Sequence, residues 1–147
     1  MMNELITSIM TKNPITVKPN DKLSKVMSLF SSSRIHHVPV VNDENDLIGL
    51  ITTYDMWKLD LPFSEYDKID CLDVMTKHLA KISPTDKVGT AAELFLTNRF
   101  HALPVVEGSK LVGIVTSFDV LRYEFIKEYD KPILFKDIYE QGIKVAV

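Results

Sequence analysis

The sequence repeats itself. Met10-Thr11-Lys12 returns as Met75-Thr76-Lys77, and Pro19 and Asp21 return as Pro84 and Asp86. Arg34, His36 and Pro39-Val40-Val41 return as Arg99, His101 and Pro104-Val105-Val106, all at a spacing of 65. The spacing then falls to 64, because the polar stretch Asn42–Asp46 is one residue longer than Glu107–Lys110; Gly49, Thr52 and Asp55 come back as Gly113, Thr116 and Asp119. Residues 9–55 and 74–119 share 17 identities over 46 aligned positions. A chain built this way is expected to fold as two similar units, each of them marginal alone for the core it can bury.

Each copy carries the same order of patterns. A short extended piece (Ile15–Lys18, Ala80–Ser83) ends at Pro19 or Pro84. Apolar residues then recur on one helical face, as Leu23, Val26, Met27 and Phe30, and as Val88, Ala91, Ala92 and Phe95. Asp21 and Asp86 are expected to cap these helices. Two β-branched, nearly continuous apolar runs follow across a polar turn: His37–Val41 with Leu47–Ile51, and Ala102–Val106 with Leu111–Val115. Pro39 suggests an edge strand or a ladder interruption. A second helix opens at Thr53-Tyr54-Asp55 and at Ser117-Phe118-Asp119. The expected fold class is α/β (α+β): two β-α-β-β-α motifs packed sheet-to-sheet about a pseudo-two-fold axis, sharing one core. The expected divisions are a first motif at 1–60, a linker at 61–70, a second motif at 71–129 and a tail at 130–147. The tail holds Pro132 and an apolar Ile133-Leu134-Phe135 that could dock on the core or on a partner.

Several function classes drop out. With 17 Lys and Arg against 20 Asp and Glu, the chain lacks the basic face of a nucleic-acid binder. The single cysteine, Cys71, excludes an internal disulfide and a zinc finger. No segment approaches the ~18–20 apolar residues of a membrane span, and Met1–Leu5 has no basic signal-peptide start. The expectation is a soluble cytoplasmic protein. The five glycines form neither a P-loop nor a GxGxxG turn, and no GxSxG elbow is present. Cys71 has no histidine near it in sequence, so no catalytic constellation emerges and an enzyme is not expected. A metal site from His36, His37, His101 and a carboxylate is set aside, because adjacent histidines on a strand point to opposite faces. The methionines at 10, 27, 56 and 75 read as packing, and Tyr54, Trp57 and Tyr66 as cover for a core edge.

Val-Met-Thr, Pro-x-Asp before a helix, His-x-apolar-Pro-Val-Val, and Gly followed by two apolar residues and Thr-x-x-Asp occur in this order. The second copy carries each of them and the first departs only in Ile9 before Met10-Thr11. Together they resemble the CBS domain, the small module named after cystathionine β-synthase, in its usual tandem pair. The resemblance covers about 110 of the 147 residues. It implies two clefts that bind adenosine-containing ligands such as AMP, ADP, ATP or S-adenosylmethionine, and a regulatory rather than catalytic role. It also implies a homodimer forming a flat four-CBS disc and an effector protein on another chain, with no obligatory cofactor, nucleic acid or membrane.

The resemblance assigns the site residues. Asp55 and Asp119 would accept hydrogen bonds from ribose hydroxyls, while Thr52, Thr116 and the helix N–H groups meet phosphate. From spacing alone the same Thr-x-x-Asp reads as a capping box, and both readings can hold for one motif. Arg34, His36 and His37 with Arg99 and His101 would contact phosphate; otherwise they are solvated loop residues. His37 is replaced by Ala102 in the second copy, so the two clefts should differ. The adenine would lie against Thr16, Val17 and Lys18 with Ile35, and against Lys81, Ile82 and Ser83 with Phe100. Val17 and Ile82 are core strand residues on either reading. The alternative for the whole chain is a ligand-free dimerisation or interaction module.

Overall fold

The computed structural model describes residues 1–129; the expected docking of the tail lies outside them. The elements are β1 (Thr11–Lys12), α1 (Leu23–Ser33), β2 (His37–Val41), β3 (Leu47–Thr52), α2 (Thr53–Lys58), α3 (Cys71–Val74), α4 (Val88–Asn98), β4 (Ala102–Glu107), β5 (Lys110–Thr116) and α5 (Ser117–Glu128), with 3-10 turns at Ile6–Ser8 and Phe63–Lys68. The mixed α/β class is as the sequence predicts, with antiparallel β2–β3 and β4–β5 hairpins at its centre. Each hairpin gains a parallel neighbour from the extended piece ahead of its helix. Val17 N–H donates to Pro39 C=O, and Ile82 N–H donates to Pro104 C=O, both at 3.1 Å. Pro39 therefore lies inside the sheet, with its carbonyl used and its missing N–H costing one rung.

The two units exchange their leading segments. β1, from the start of the chain, pairs with β5 of the second copy, with Thr11 opposite Ile114. Thr76, which opens the second copy, exchanges two backbone bonds with Leu50 of the first. Ile6 is fully buried among Ile82, Val88, Leu103, Val105 and Val115, whereas Cys71 and Met75 are buried among Val17, Leu23, Val38 and Ile51. There are thus two core clusters and not the single shared one expected. Each short unit completes its own core with a segment borrowed from the other, which answers the shortage of buried surface in a unit this small.

The exchange also corrects the helix starts. Asp21 and Asp86 do not cap. Their carboxylates accept from Lys18 N–H (2.8 Å) and Ser83 N–H (2.7 Å), closing the turn before the helix. The helix N-termini are met instead by borrowed carbonyls: Leu23 N–H donates to Ile69, Val88 N–H to Glu4, and Gly89 N–H to Met2. These satisfy donors that every helix start leaves open.

Met10 and Met75 travel with the exchanged segments and are not on helices. A Cβ at Gly49 would collide with Met75 Sδ and lie 2.7 Å from its Cγ and 3.0 Å from its Cβ; one at Gly113 would lie 2.6 Å from Met10 Sδ and 2.9 Å from Thr11 O. The repeated glycines are therefore seats for the repeated methionines. Gly113→Ala should destabilise by about 1–3 kcal/mol, because a backbone carbonyl cannot retreat. Gly49→Ala should cost somewhat less, since the close atoms there all belong to the Met75 side chain and no backbone atom is met. Urea unfolding of the two variants checks the order.

The hairpin tips join the halves a second time. Leu47 N–H donates to Ser109 C=O and Leu111 N–H to Asn45 C=O. Asp46 accepts from Ser109 Oγ at 2.6 Å and from Lys110 Nζ at 2.7 Å. The Lys110 ammonium and these hydrogen bonds hold its carboxyl well below the usual carboxylate range. Tyr66 is buried as cover for the core, but Tyr54 and Trp57 are 59% and 74% exposed, so only one of the three aromatics fills that expected role. The two exposed rings stack on each other instead, along one face of α2.

Candidate functional site

β2 and β4 each follow a helix that ends on an arginine in the left-handed conformation, Arg34 at φ 52° and Arg99 at φ 55°. Glycine normally takes this terminating position. Here a long cationic side chain takes it in both copies, despite the steric cost to a non-glycine residue. The chain then turns sharply into the strand and carries His36, His37 and His101 with it. The Thr52 and Thr116 ends of β3 and β5 start α2 and α5 beside those histidines: Thr53 N–H donates to His36 C=O, and Ser117 N–H to His101 C=O, each at 3.0 Å.

These elements enclose a cavity of about 1130 Å³ reached from both copies. Of the residues assigned from the sequence, Arg34, Ile35, His36, His37, Thr52, Arg99, Phe100, His101, Thr116 and Asp119 line it. Thr16, Val17, Lys18, Asp55, Lys81, Ile82 and Ser83 are not among the lining residues. Val17 and Ile82 are 1% and 3% exposed, packed into the two cores by their parallel pairing. Lys18 Nζ turns away to Asn42 C=O at 2.7 Å and to Asp43. The wall comes instead from the residues just before that strand, Thr11, Asn13, Pro14 and Ile15, with Leu50 and Ile114. Nothing in the residue types announced them. The recurring Met-Thr-Lys was the available signal, and the strand exchange is what carries it to the cavity. A smaller hollow of about 440 Å³ between α1, α2 and the Phe63–Lys68 turn is lined mostly by Met27, Phe30, Met56, Trp57, Leu61 and Phe63, with Ser31, Thr53, Asp60 and Tyr66 between them.

Both Thr-x-x-Asp motifs form complete capping boxes. Thr116 Oγ1 accepts from Asp119 N–H at 3.2 Å, and Asp119 Oδ2 accepts from Thr116 N–H at 2.8 Å and Thr116 Oγ1 at 2.7 Å. The Thr52–Asp55 box has the same pattern with distances of 2.8–3.1 Å. Capping thus uses one carboxylate oxygen and leaves Oδ1. In Asp55 that oxygen lies 3.6 Å from Lys58 Nζ, and the residue is only 9% exposed. In Asp119 it has no ion-pair partner among the described residues, and the residue faces the cavity. Of the lining residues only Asp119 is acidic, against two arginines and three histidines. The cavity therefore suits an anion that also carries hydroxyl donors.

His37 is half-buried at the start of β2. Burial pushes its pKa down to about 4, aided by the neighbouring His101 and His36 and opposed by Asp55. Unfolded, it titrates near the ordinary 6.5. The folded state therefore binds fewer protons between these values, so stability is full above about 6.5 and falls as the pH drops towards 4. The loss should reach up to about 3 kcal/mol, and His37→Ala should flatten it. Thermal unfolding between pH 4 and 7 measures both slopes. Cys71 is buried, its thiol pushed up to about 11 by that burial and by the charge of Asp21, which makes it a packing residue and not a nucleophile. No cluster of three or more metal-ligating side chains occurs among the described residues. No helix among them is long and apolar enough to cross a membrane.

The CBS domain family matches residues 6–56 and 71–125, more than half of the chain and one match per copy. The protein belongs to this family. As a CBS domain pair it has close structural counterparts. CBSX2 in complex with AMP has 27% sequence identity and a TM-score of 0.76, covering 85% of this chain and 98% of that one. The CBS pair of MJ0100, in complex with 5′-methylthioadenosine and S-adenosyl-L-methionine, is 27% identical with a TM-score of 0.75 and the same coverage. In sequence, MJ1225 of Methanocaldococcus jannaschii is 35% identical over 122 residues, or 82% of this chain. This CBS pair spans only 43% of the length of that relative.

Proposed function

We propose that this CBS pair is a regulatory module that takes an adenosine-containing ligand in the 1130 Å³ cavity and passes the occupancy to a partner protein. The observation that carries the reading is Asp119, whose Oδ1 has no partner among the described residues, in a cavity also lined by Arg34, Arg99 and the histidines. One carboxylate oxygen can accept from a ribose hydroxyl while the other keeps α5 capped. Thr116, the arginines and the histidines are the phosphate contacts in this reading, and Ile35, Phe100, Ile15 and Ile114 are the apolar walls for a base. Structural relatives crystallised with AMP, and with 5′-methylthioadenosine and S-adenosyl-L-methionine, support adenosine as the common element. No catalytic group is required of this chain.

Thermal unfolding against AMP, ADP, ATP, S-adenosylmethionine and a GTP control tests the proposal. A ligand at 100 times its Kd adds about 2.7 kcal/mol, which raises the midpoint by several degrees at this chain length. No shift for any adenosine compound at millimolar concentration would reject it.

Self-association is part of the same reading. Trp57 on α2 and Phe118, Leu121 and Ile126 on α5 are each more than half exposed. Apolar surface of this kind is characteristic of a contact face, and the flat disc of two pairs would cover it. Light scattering that returned a monomer mass at 0.1 mM, an order-of-magnitude working concentration well above a micromolar Kd, would remove this element.

A further inference from the structure

The cavity is shared by two sequence copies but is not symmetric. We infer that it seats one phosphorylated nucleoside per chain, with the ribose on the Asp119 side, and that the Asp55 side is not a second nucleoside site. This deepens the proposed function and rests on it.

Two observations separate the sides, and a third selects the ligand. The Asp119 side has its full complement of wall: Thr11, Asn13, Pro14 and Ile15 from the exchanged leading segment, Ile114 from β5, and the first turn of α5. On the opposite side Leu50, Thr52 and Tyr54 line the cavity, but no residue of the second leading segment, Thr76 to Ala80, does so. The carboxylates differ in the same sense. Asp55 is buried, does not line the cavity, and has Lys58 Nζ 3.6 Å from the oxygen that capping leaves over. Arg122 stands at the counterpart of Lys58 and makes no ion pair with Asp119 among the described residues. A diol arriving on the first-copy side would meet a buried acceptor whose charge is already partly balanced by an ammonium 3.6 Å away. The third observation, on the ligand, is charge. With Arg34 and Arg99 against one carboxylate, the space beyond the ribose is cationic. It favours a 5′-phosphate over a neutral thioether or a sulfonium cation, since like charge disfavours the latter.

The test is calorimetric titration of the full chain with AMP. One site per chain is expected, with Asp119→Ala lowering the affinity at least tenfold and Asp55→Ala changing it less than twofold. The two variants lose matched capping boxes, so a purely structural effect would move both alike. S-adenosylmethionine and 5′-methylthioadenosine should bind at least tenfold more weakly than AMP. Two equivalent sites, or an equal loss from Asp55→Ala, would overturn the assignment of sides. Binding of S-adenosylmethionine as tight as AMP would overturn the phosphate preference and leave the adenosine reading standing. Silence from every adenosine compound, with the wild-type fold intact by circular dichroism, would overturn both.

Discussion

Ile6→Ala should destabilise the protein by about 2–5 kcal/mol, although residue 6 precedes everything that repeats. Ile6 is fully buried, and its neighbours Ile82, Val88, Leu103, Val105 and Val115 all lie more than seventy residues further on. Its N–H also donates to Asp86 C=O at 2.9 Å, fixing the turn ahead of α4. Truncation to alanine removes three methyl(ene) groups from a close-packed site and leaves a void that the sheet cannot collapse into. Urea unfolding measures the effect. A loss below about 0.5 kcal/mol, the size of an ordinary surface change, would mean that the leading segment does not belong to the second core. Leu5→Ala serves as the neighbouring control, because Leu5 is 40% exposed and should stay near that surface value.

The second large effect is electrostatic. Arg34→Ala combined with Arg99→Ala should weaken AMP binding roughly 10–30-fold while leaving adenosine binding nearly unchanged. A hydrogen bond to a charged group contributes about 1.5–3 kcal/mol. Both arginines are exposed, so screening lowers each to roughly 0.7–1 kcal/mol. The wild-type affinity for AMP should also fall between 0.05 and 0.3 M salt, on the order of the range over which the Debye length shortens through 10 Å. Adenosine, carrying no charge, should not follow. Titrations of the two ligands against both proteins decide the matter: equal losses for AMP and adenosine would place the arginines outside the phosphate contacts. The double variant is not expected to unfold, because alanine tolerates a helix end about as well as an arginine held at positive φ.

The amount legible in the sequence followed from the type of signal. The repeat, the helical spacing of Leu23, Val26, Met27 and Phe30, and the apolar runs of the hairpins are local periodicities, and each element formed where its period placed it. The capping boxes were legible for the same reason: the Thr and Asp of each lie three residues apart, and the bonds between them close within one turn. Asp21 and Asp86 had the right residue type and the wrong partner, since a carbonyl from another part of the chain reached the helix start first.

What the sequence determined by itself was the duplication, the order of elements in each copy, and a concentration of arginine and histidine at one repeated place. Identity between the copies records these directly. The tertiary structure decided which copy's leading segment completes which core, and therefore that Asn13, Pro14 and Ile15, and not Thr16 to Lys18, wall the cavity. It also decided that two carboxylates in the same motif differ, one turned to the cavity and one buried beside Lys58. Pairing across sixty or a hundred residues depends on which surfaces meet once both units exist. That information resides in the packing of the two halves and in no local stretch of chain.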